Sequence, residues 1–331
     1  MIPSMLKVIA KDGEVRIGKH FSVSFQRTLR IPDDGKTYPL PPTLGRFPVH
    51  EVKDYEKRIP MEWKERGGFF ISMYQREALW LAFDGAEWRP NAVQVAVGNI
   101  NAVSGEAWEE HLSEKPQNYI VCPDQMWLDG INAGEGIVRQ FVAMPLGMGY
   151  TIEAQLTGKE DVGGIQIRAY DPKPGRFPNR PPARSKGLLS AEAPSFAMAG
   201  QSLGGMGLGA GGRMQQKIYP DKYGLDTWDQ QNFGSVFIHI VNSEQYSELT
   251  GHRPPPSPVS AKTYTQHGFP WFEVYDENRQ TVSGTRKLSK VRSVREIDAN
   301  KGYDKSKDED ALEIDPAQIK KIKRTKSRHN R

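Results

Sequence analysis

The chain has 331 residues, of which 37% are hydrophobic, 10% aromatic and 26% charged; that balance supplies a sizeable core and excludes wholesale disorder. The formal net charge of +5 is local: Lys320, Lys321, Lys323, Arg324, Lys326, Arg328 and Arg331 hold seven positive charges, and without them the remainder carries −2, which excludes a basic, nucleic-acid-binding body. No apolar run approaches the roughly 18 residues of a spanning helix, and residues 1–10 lack the apolar stretch and cleavage signal of a secretory leader, so a cytoplasmic chain without a membrane span is expected, or a nuclear one in a eukaryote.

Val15, Ile17, Phe21, Val23 and Phe25 occupy odd positions with mostly polar residues between them, the period of half-buried strands. Asp33-Asp34-Gly35 is a turn signal. Tyr38-Pro39-Leu40-Pro41-Pro42 is confined to extended, non-central backbone, because proline brings no N–H. Residues 51–66 read as two helical pieces, the second opened by Pro60. Strands are predicted at 69–74, 78–83 and 93–97, and a short helix after Ser104, through Ala107 to Leu112. The clearest strands are expected between 136 and 170. Tyr150, Ile152, Ala154 and Leu156 alternate with polar residues, as do Ile165, Ile167 and Ala169, and Gly158-Lys159-Glu160-Asp161 between them suits a hairpin.

Five prolines in 171–184, followed by a Gly-, Ala- and Met-rich run to 213, read as a long excursion. A strand at 236–241 and a helix capped by Asn242 follow. Pro254-Pro255-Pro256-Ser257-Pro258 reads as an extended spacer, and Phe269 to Tyr275 as an aromatic stretch that packs onto the body. From about residue 276 the chain turns charged and poor in aromatics, a composition that does not bury enough surface to fold alone.

The most distinctive chemistry lies in 123–136. Asp124, Asp129 and Glu135 offer oxygen ligands to a hard cation, or an acid and a base to a hydrolase. With Trp127 among them they also suit a glycan, whose ring has an apolar face and a polar rim. The competing reading is a turn network in which Asp and Asn side chains bond backbone N–H groups. A formal G-x-G-x-x-G falls at Gly207, Gly209 and Gly212, but no β-branched strand precedes it and no helix signal follows, so a dinucleotide site is not expected. Around it Met206, Leu208, Arg213 and Met214 form a candidate partner-contact segment of adaptable side chains.

The seven histidines form no H-x-H, H-E-x-x-H or Cys/His cluster, so neither a metal nor a cofactor is expected. Cys122, alone in an apolar context, reads as a small buried hydrophobe. In the tail, Lys320, Lys321, Lys323 and Arg324 are candidates for weak contact with nucleic acid or an anionic surface.

Three stretches carry a resemblance: Met73-Tyr74-Gln75-Arg76-Glu77-Ala78-Leu79-Trp80, the run from Gly136 to Gln155, and Gly207-Leu208-Gly209-Ala210-Gly211-Gly212-Arg213-Met214. Over about 36–300 the chain resembles an uncharacterised family of bacterial and fungal proteins often labelled integral membrane proteins. The hydropathy is at odds with that label. The family has no established activity, so the resemblance implies no catalytic residue.

The expected fold is mainly β, a sandwich or jelly-roll-like body with few short helices, long Pro/Gly-rich excursions and a disordered C-terminal tail. Its expected organisation is a β-rich body over 1–170, the excursion over 171–213, the rest of the body over 214–275 and a charged tail over 276–331. The expected function is non-enzymatic binding of a protein partner or of a second copy. The alternative is a carboxylate-dependent hydrolase or a glycan binder using 123–136.

Overall fold

The computed structural model describes residues 6–180, 205–275, 279–303 and 312–323. Its strands are β1 (Val8–Lys11), β2 (Glu14–Ile17), β3 (Phe21–Thr28), β4 (Thr37–Tyr38), β5 (Thr43–Arg46), β6 (His50–Glu51), β7 (Phe69–Met73), β8 (Ala78–Gly85), β9 (Asn91–Val97) and β10 (Ile100–Asn101). They continue as β11 (Ile120–Cys122), β12 (Trp127–Leu128), β13 (Gly130–Gly134), β14 (Ile137–Pro145), β15 (Ile165–Pro172), β16 (Gly205–Gln215), β17 (Trp228–Asn242), β18 (Trp271–Tyr275) and β19 (Ile319–Lys323). Five short helices accompany them: α1 (Met61–Arg66), α2 (Ile152–Thr157), α3 (Ser243–Thr250), α4 (Ala261–Gln266) and α5 (Val294–Asn300).

The mainly β architecture follows from alternation. One layer runs β1–β2–β3–β8–β14–β16, antiparallel throughout. The other runs β9–β15–β17 antiparallel, with β7 added parallel to β17. β16 joins the layers, entering beside β17 at Gly205–Val241 and Met206–Ile240 before following β14. Phe21, Val23 and Phe25, Leu79 and Leu81, Val93, Val95 and Val97, Ile165 and Ile167, and Ile238 and Ile240 all point into one shared core. Each such side chain contributes about 1.5–3 kcal/mol on leaving water, which outweighs any local preference of a short strand.

Smaller cores cover parts of the outer faces. Trp63, Phe70, Val241, Tyr246 and Leu249 hold α1 and α3 against β7 and β17. Leu112, Tyr119, Tyr170 and Trp228 cover β9 and β15. Val142, Met144, Tyr150, Val294 and Ile297 seat α5 on β14.

Several expectations are corrected. Residues 152–157, expected as a strand, form α2. Thr151 caps it by accepting the Ala154 N–H at 3.0 Å, and Gly158 ends it in the left-handed conformation; the two caps override an alternation that was accidental. The buried Glu153 then accepts N–H groups from Asp161, Val162 and Gly163, so 158–161 is a capped return to β15 and not a hairpin between strands. No helix forms over 104–112. There the Asn101 side chain accepts from the Val103 and Ser104 N–H groups, and Asn118 donates to the His111 carbonyl. Side chains satisfy this backbone locally, which competes with helix.

The glycine run, expected as part of an excursion over 171–213, is strand β16, while β15 continues to Pro172; 181–204 lie outside the described residues. Met206, Leu208 and Ala210 face the core. Gly207, Gly209 and Gly211 alternate with them because their side is crowded. A Cβ at Gly209 would lie 2.9 Å from the Tyr150 carbonyl oxygen, and one at Gly211 2.6 Å from Val142.

The stretch 254–258 is no free spacer. Tyr74 donates its hydroxyl to the Pro255 carbonyl at 2.9 Å, and Arg27 donates to the Pro256 carbonyl at 2.6 Å. The tail reading over 276–331 also changes for its described parts. Leu288 in a single 3-10 turn, Val291 after it, and Val294 and Ile297 on α5 are buried, and β19 pairs parallel with β18. Residues 276–278, 304–311 and 324–331 lie outside the described residues.

Candidate functional site

The stretch 123–136 is a wedge of strands. β8 and β14 pair at Ala78–Leu79 and then diverge; β12 takes the vacated edge of β8, and β13 that of β14. The three carboxylates are engaged separately. Asp124 pairs with Lys222 at 2.5 Å. Asp129, between the two strands, is buried and accepts from the Gln216 side-chain amide at 2.6 Å, while its own N–H donates to that side chain's oxygen at 3.0 Å. Burial pushes its carboxyl up to about 7, against the opposing effect of the Gln216 bond. Glu135 is exposed at the β13–β14 turn with φ of 54°. Their closeness in sequence builds register, not one acidic cleft.

Met206, Leu208 and Met214 are buried in the shared core, so the candidate contact segment is interior. Arg213 is half-buried at the β16–β4 pairing. Lys320 and Lys321 are exposed on β19, to which Lys323 also belongs; Arg324 lies outside the described residues. The Cys122 thiol is buried, donates to the Gln125 carbonyl at 3.4 Å, and is shifted up by burial. Among the described residues no group of three His, Cys, Asp or Glu side chains is placed to hold a metal ion, and no helix is long and apolar enough to cross a membrane.

The site that sequence reading missed lies on the outer face of β3 and β8. Here a groove of about 470 Å³ is lined by Glu14, Ser22, Ser24, Gln26, Thr43, Arg46, Trp80, Ala82 and Asp84, within the usual size of small-molecule sites, roughly 300–1,000 Å³. The alternation that buries Phe21, Val23 and Phe25 turns Ser22, Ser24 and Gln26 outward, and the register sets Asp84, Ala82 and Trp80 opposite them. β5 pairs with β3 through Gln26–Arg46 and adds Thr43 and Arg46.

Ser22, Ser24 and Gln26 are 5–8% exposed, so they require partners. Gln26 donates to Ser24 at 2.8 Å and accepts from Thr43 at 2.9 Å. Ser22 donates to Glu14 at 2.9 Å, and Glu14 pairs with Arg46 at 3.1 Å. The network fixes the groove's donors and acceptors in place. The indole N–H of Trp80 is shielded from solvent and has no hydrogen-bond partner among the described residues. Trp127, singled out from the sequence, stands opposite Ala82 in the register and so shares this face of the layer. The sequence signal was present in Ser22, Ser24 and Gln26, but short polar residues on the wet side of a strand are ordinary. What sets these apart is the lining that β5 adds through Thr43 and Arg46 and the tryptophan across the strand pair. Comparison of the chain with protein-family models, with curated proteins and with solved structures returns no match.

Proposed function

We propose that this chain is a non-enzymatic binding protein whose ligand is a small polar molecule held in the β3–β8 groove. One observation carries the reading: hydrogen-bonded polar side chains of Glu14, Ser22, Ser24, Gln26, Thr43 and Arg46 line a groove with Trp80 in its wall. Prearrangement lowers the ordering cost of binding. The contact segment that motivated a protein partner is core, which moves the binding surface to this face. The carboxylate-dependent alternative loses its motivation, since Asp124 and Asp129 are held by different partners. Contact of the basic tail with anionic polymers remains a separate proposal, supported by the exposure of Lys320 and Lys321.

The experiment is a thermal-shift screen of the full chain against sugars, polyols, amino acids, sugar acids and phosphates. Ala82→Trp, which fills the groove from its half-exposed floor, serves as the blocked control, and Gln26→Ala tests the same site by loss of a contact. A ligand that stabilises the native chain but neither variant is expected. Ligands acting equally on all three proteins, or none acting at all, would rule the groove out.

A further inference from the structure

The groove's charges and its unused hydrogen-bonding capacity specify a chemical class. Glu14 and Asp84 bring two carboxylates to the lining and Arg46 one guanidinium. Arg46 is already engaged by Glu14 at 3.1 Å and by the Asp12 carbonyl at 3.5 Å. Both contacts use Nη1, and a carboxylate or phosphate ligand held at the remaining guanidinium nitrogens would lie beside Glu14 and still face Asp84, two carboxylates against one guanidinium. An anionic group adds negative charge beside these two carboxylates, and like charges brought together cost binding energy.

The unused capacity is mixed. Ser24 accepts from Gln26 and keeps its own O–H to donate; Gln26 spends one amide N–H on Ser24 and keeps the other. On the accepting side stand the exposed Asp84 and the remaining lone pairs of Glu14. A hydroxyl group both donates and accepts, so a ring carrying several hydroxyls meets both sets at once. Trp80 and Ala82 supply apolar lining for the C–H face of such a ring. A bare divalent cation would need converging carboxylates that this wall does not offer.

We infer that the groove takes neutral saccharides and turns away sugar acids and phosphate. This rests on the groove being the binding site. Titration calorimetry of the full chain with glucose, galactose, N-acetylglucosamine and their short oligomers, set against glucuronate, galacturonate and inorganic phosphate, tests it. At least one neutral sugar binds saturably, and its acidic counterpart binds about tenfold more weakly or worse, the cost of roughly one unfavourable charge contact. Trp80→Ala, which removes the ring wall, and Ser24→Ala, which removes the hydroxyl, each weaken the neutral sugar by about tenfold. Glu14→Gln combined with Asp84→Asn narrows the gap between neutral and acidic sugars.

A sugar acid or phosphate binding as tightly as any neutral sugar, and blocked by Ala82→Trp, overturns the selectivity while leaving the groove as the site. Failure of every neutral sugar overturns the inference outright. If no ligand of any class is blocked by Ala82→Trp, the groove reading falls with it.

Discussion

Arg76 and Asp298, 222 residues apart, meet in a two-pronged ion pair, with both terminal guanidinium nitrogens 2.8 Å from the carboxylate oxygens. Tyr150 adds its hydroxyl to the same carboxylate at 2.6 Å. Burial alone would raise the Asp298 carboxyl, but the bonds from Arg76 and Tyr150 and the nearby guanidinium charges hold it below the usual carboxylate range. The contact clamps α5 to the β8–β14 corner. Arg76→Ala is expected to cost about 2 kcal/mol, the range for charge-assisted bonds, read as a lower urea midpoint. An unchanged midpoint would mean that α5 adds nothing to the body.

Glycine on β16 is set by approach and not by flexibility. A Cβ at Gly212 would stand 2.3 Å from the Pro32 carbonyl oxygen, whereas one at Gly205 would make only a 3.4 Å contact with Leu146. Gly212→Ala should destabilise by about 2 kcal/mol or more, as overpacking does, and Gly205→Ala by less than about 1 kcal/mol. Chemical denaturation of both variants checks the contrast; equal losses would contradict it.

A half-buried histidine, His50, and a buried one, His239, make stability fall in acid. His50 lies between the Tyr246 hydroxyl at 2.6 Å and that of Tyr55 at 3.1 Å, and burial, aided by His252 and opposed by Asp54, lowers it to about 4. His239 stacks on Trp63 and reaches the Gly67 carbonyl at 3.0 Å. Burial lowers it also to about 4, with the Gly67 bond opposing and Arg66 assisting. The unfolded chain, with histidines near 6.5, binds more protons than the folded one between those values. Stability is therefore full above about 6.5 and lost as pH falls toward 4. The melting temperature should drop across that window, and His239→Gln should flatten the drop; a slope indifferent to that substitution would exclude His239 as a cause.

Asp129 acts with the opposite sign. Its carboxyl, raised to about 7, makes the folded chain bind more protons than the unfolded one above about 3.9, so its contribution weakens as pH rises toward 7. Asp129→Asn keeps an oxygen for the Gln216 amide and removes the charge. It should raise stability at pH 8 by on the order of 1 kcal/mol and leave pH 5 nearly unchanged. Destabilisation at pH 8 would show that the ionised carboxylate is wanted there.

The proline strap is held from beneath. Glu77 is buried, accepts from Arg27 at 2.7 Å and from the Tyr74 N–H at 2.9 Å, and so orients the side chains that grip Pro255 and Pro256. Tyr74→Phe removes one net hydrogen bond, worth about 1 kcal/mol. Faster proteolysis at 252–260 is expected, with little change in global melting. Unaltered cleavage would mean that the strap is secured by its ends alone.

Alternation placed β2, β3, β9 and β15, because burying every second side chain against a common interior leaves a period of two in the chain, while β8 and the centre of β17 were legible as apolar runs of strand length. The same rule misassigned 152–157, where Thr151 and Gly158 supplied helix caps, and overlooked β16, where glycines took the crowded face. Which outer faces stay open depended on distant segments. α1 and α3 cover one region and α5 another, while β5 extends the sheet beside β3 and borders a groove on the β3–β8 face. The sequence carried the side-chain period and the polar composition of each strand; the register between strands 50 or more residues apart, and hence the meeting of Gln26, Arg46 and Trp80, was decided only by the packing of the whole core.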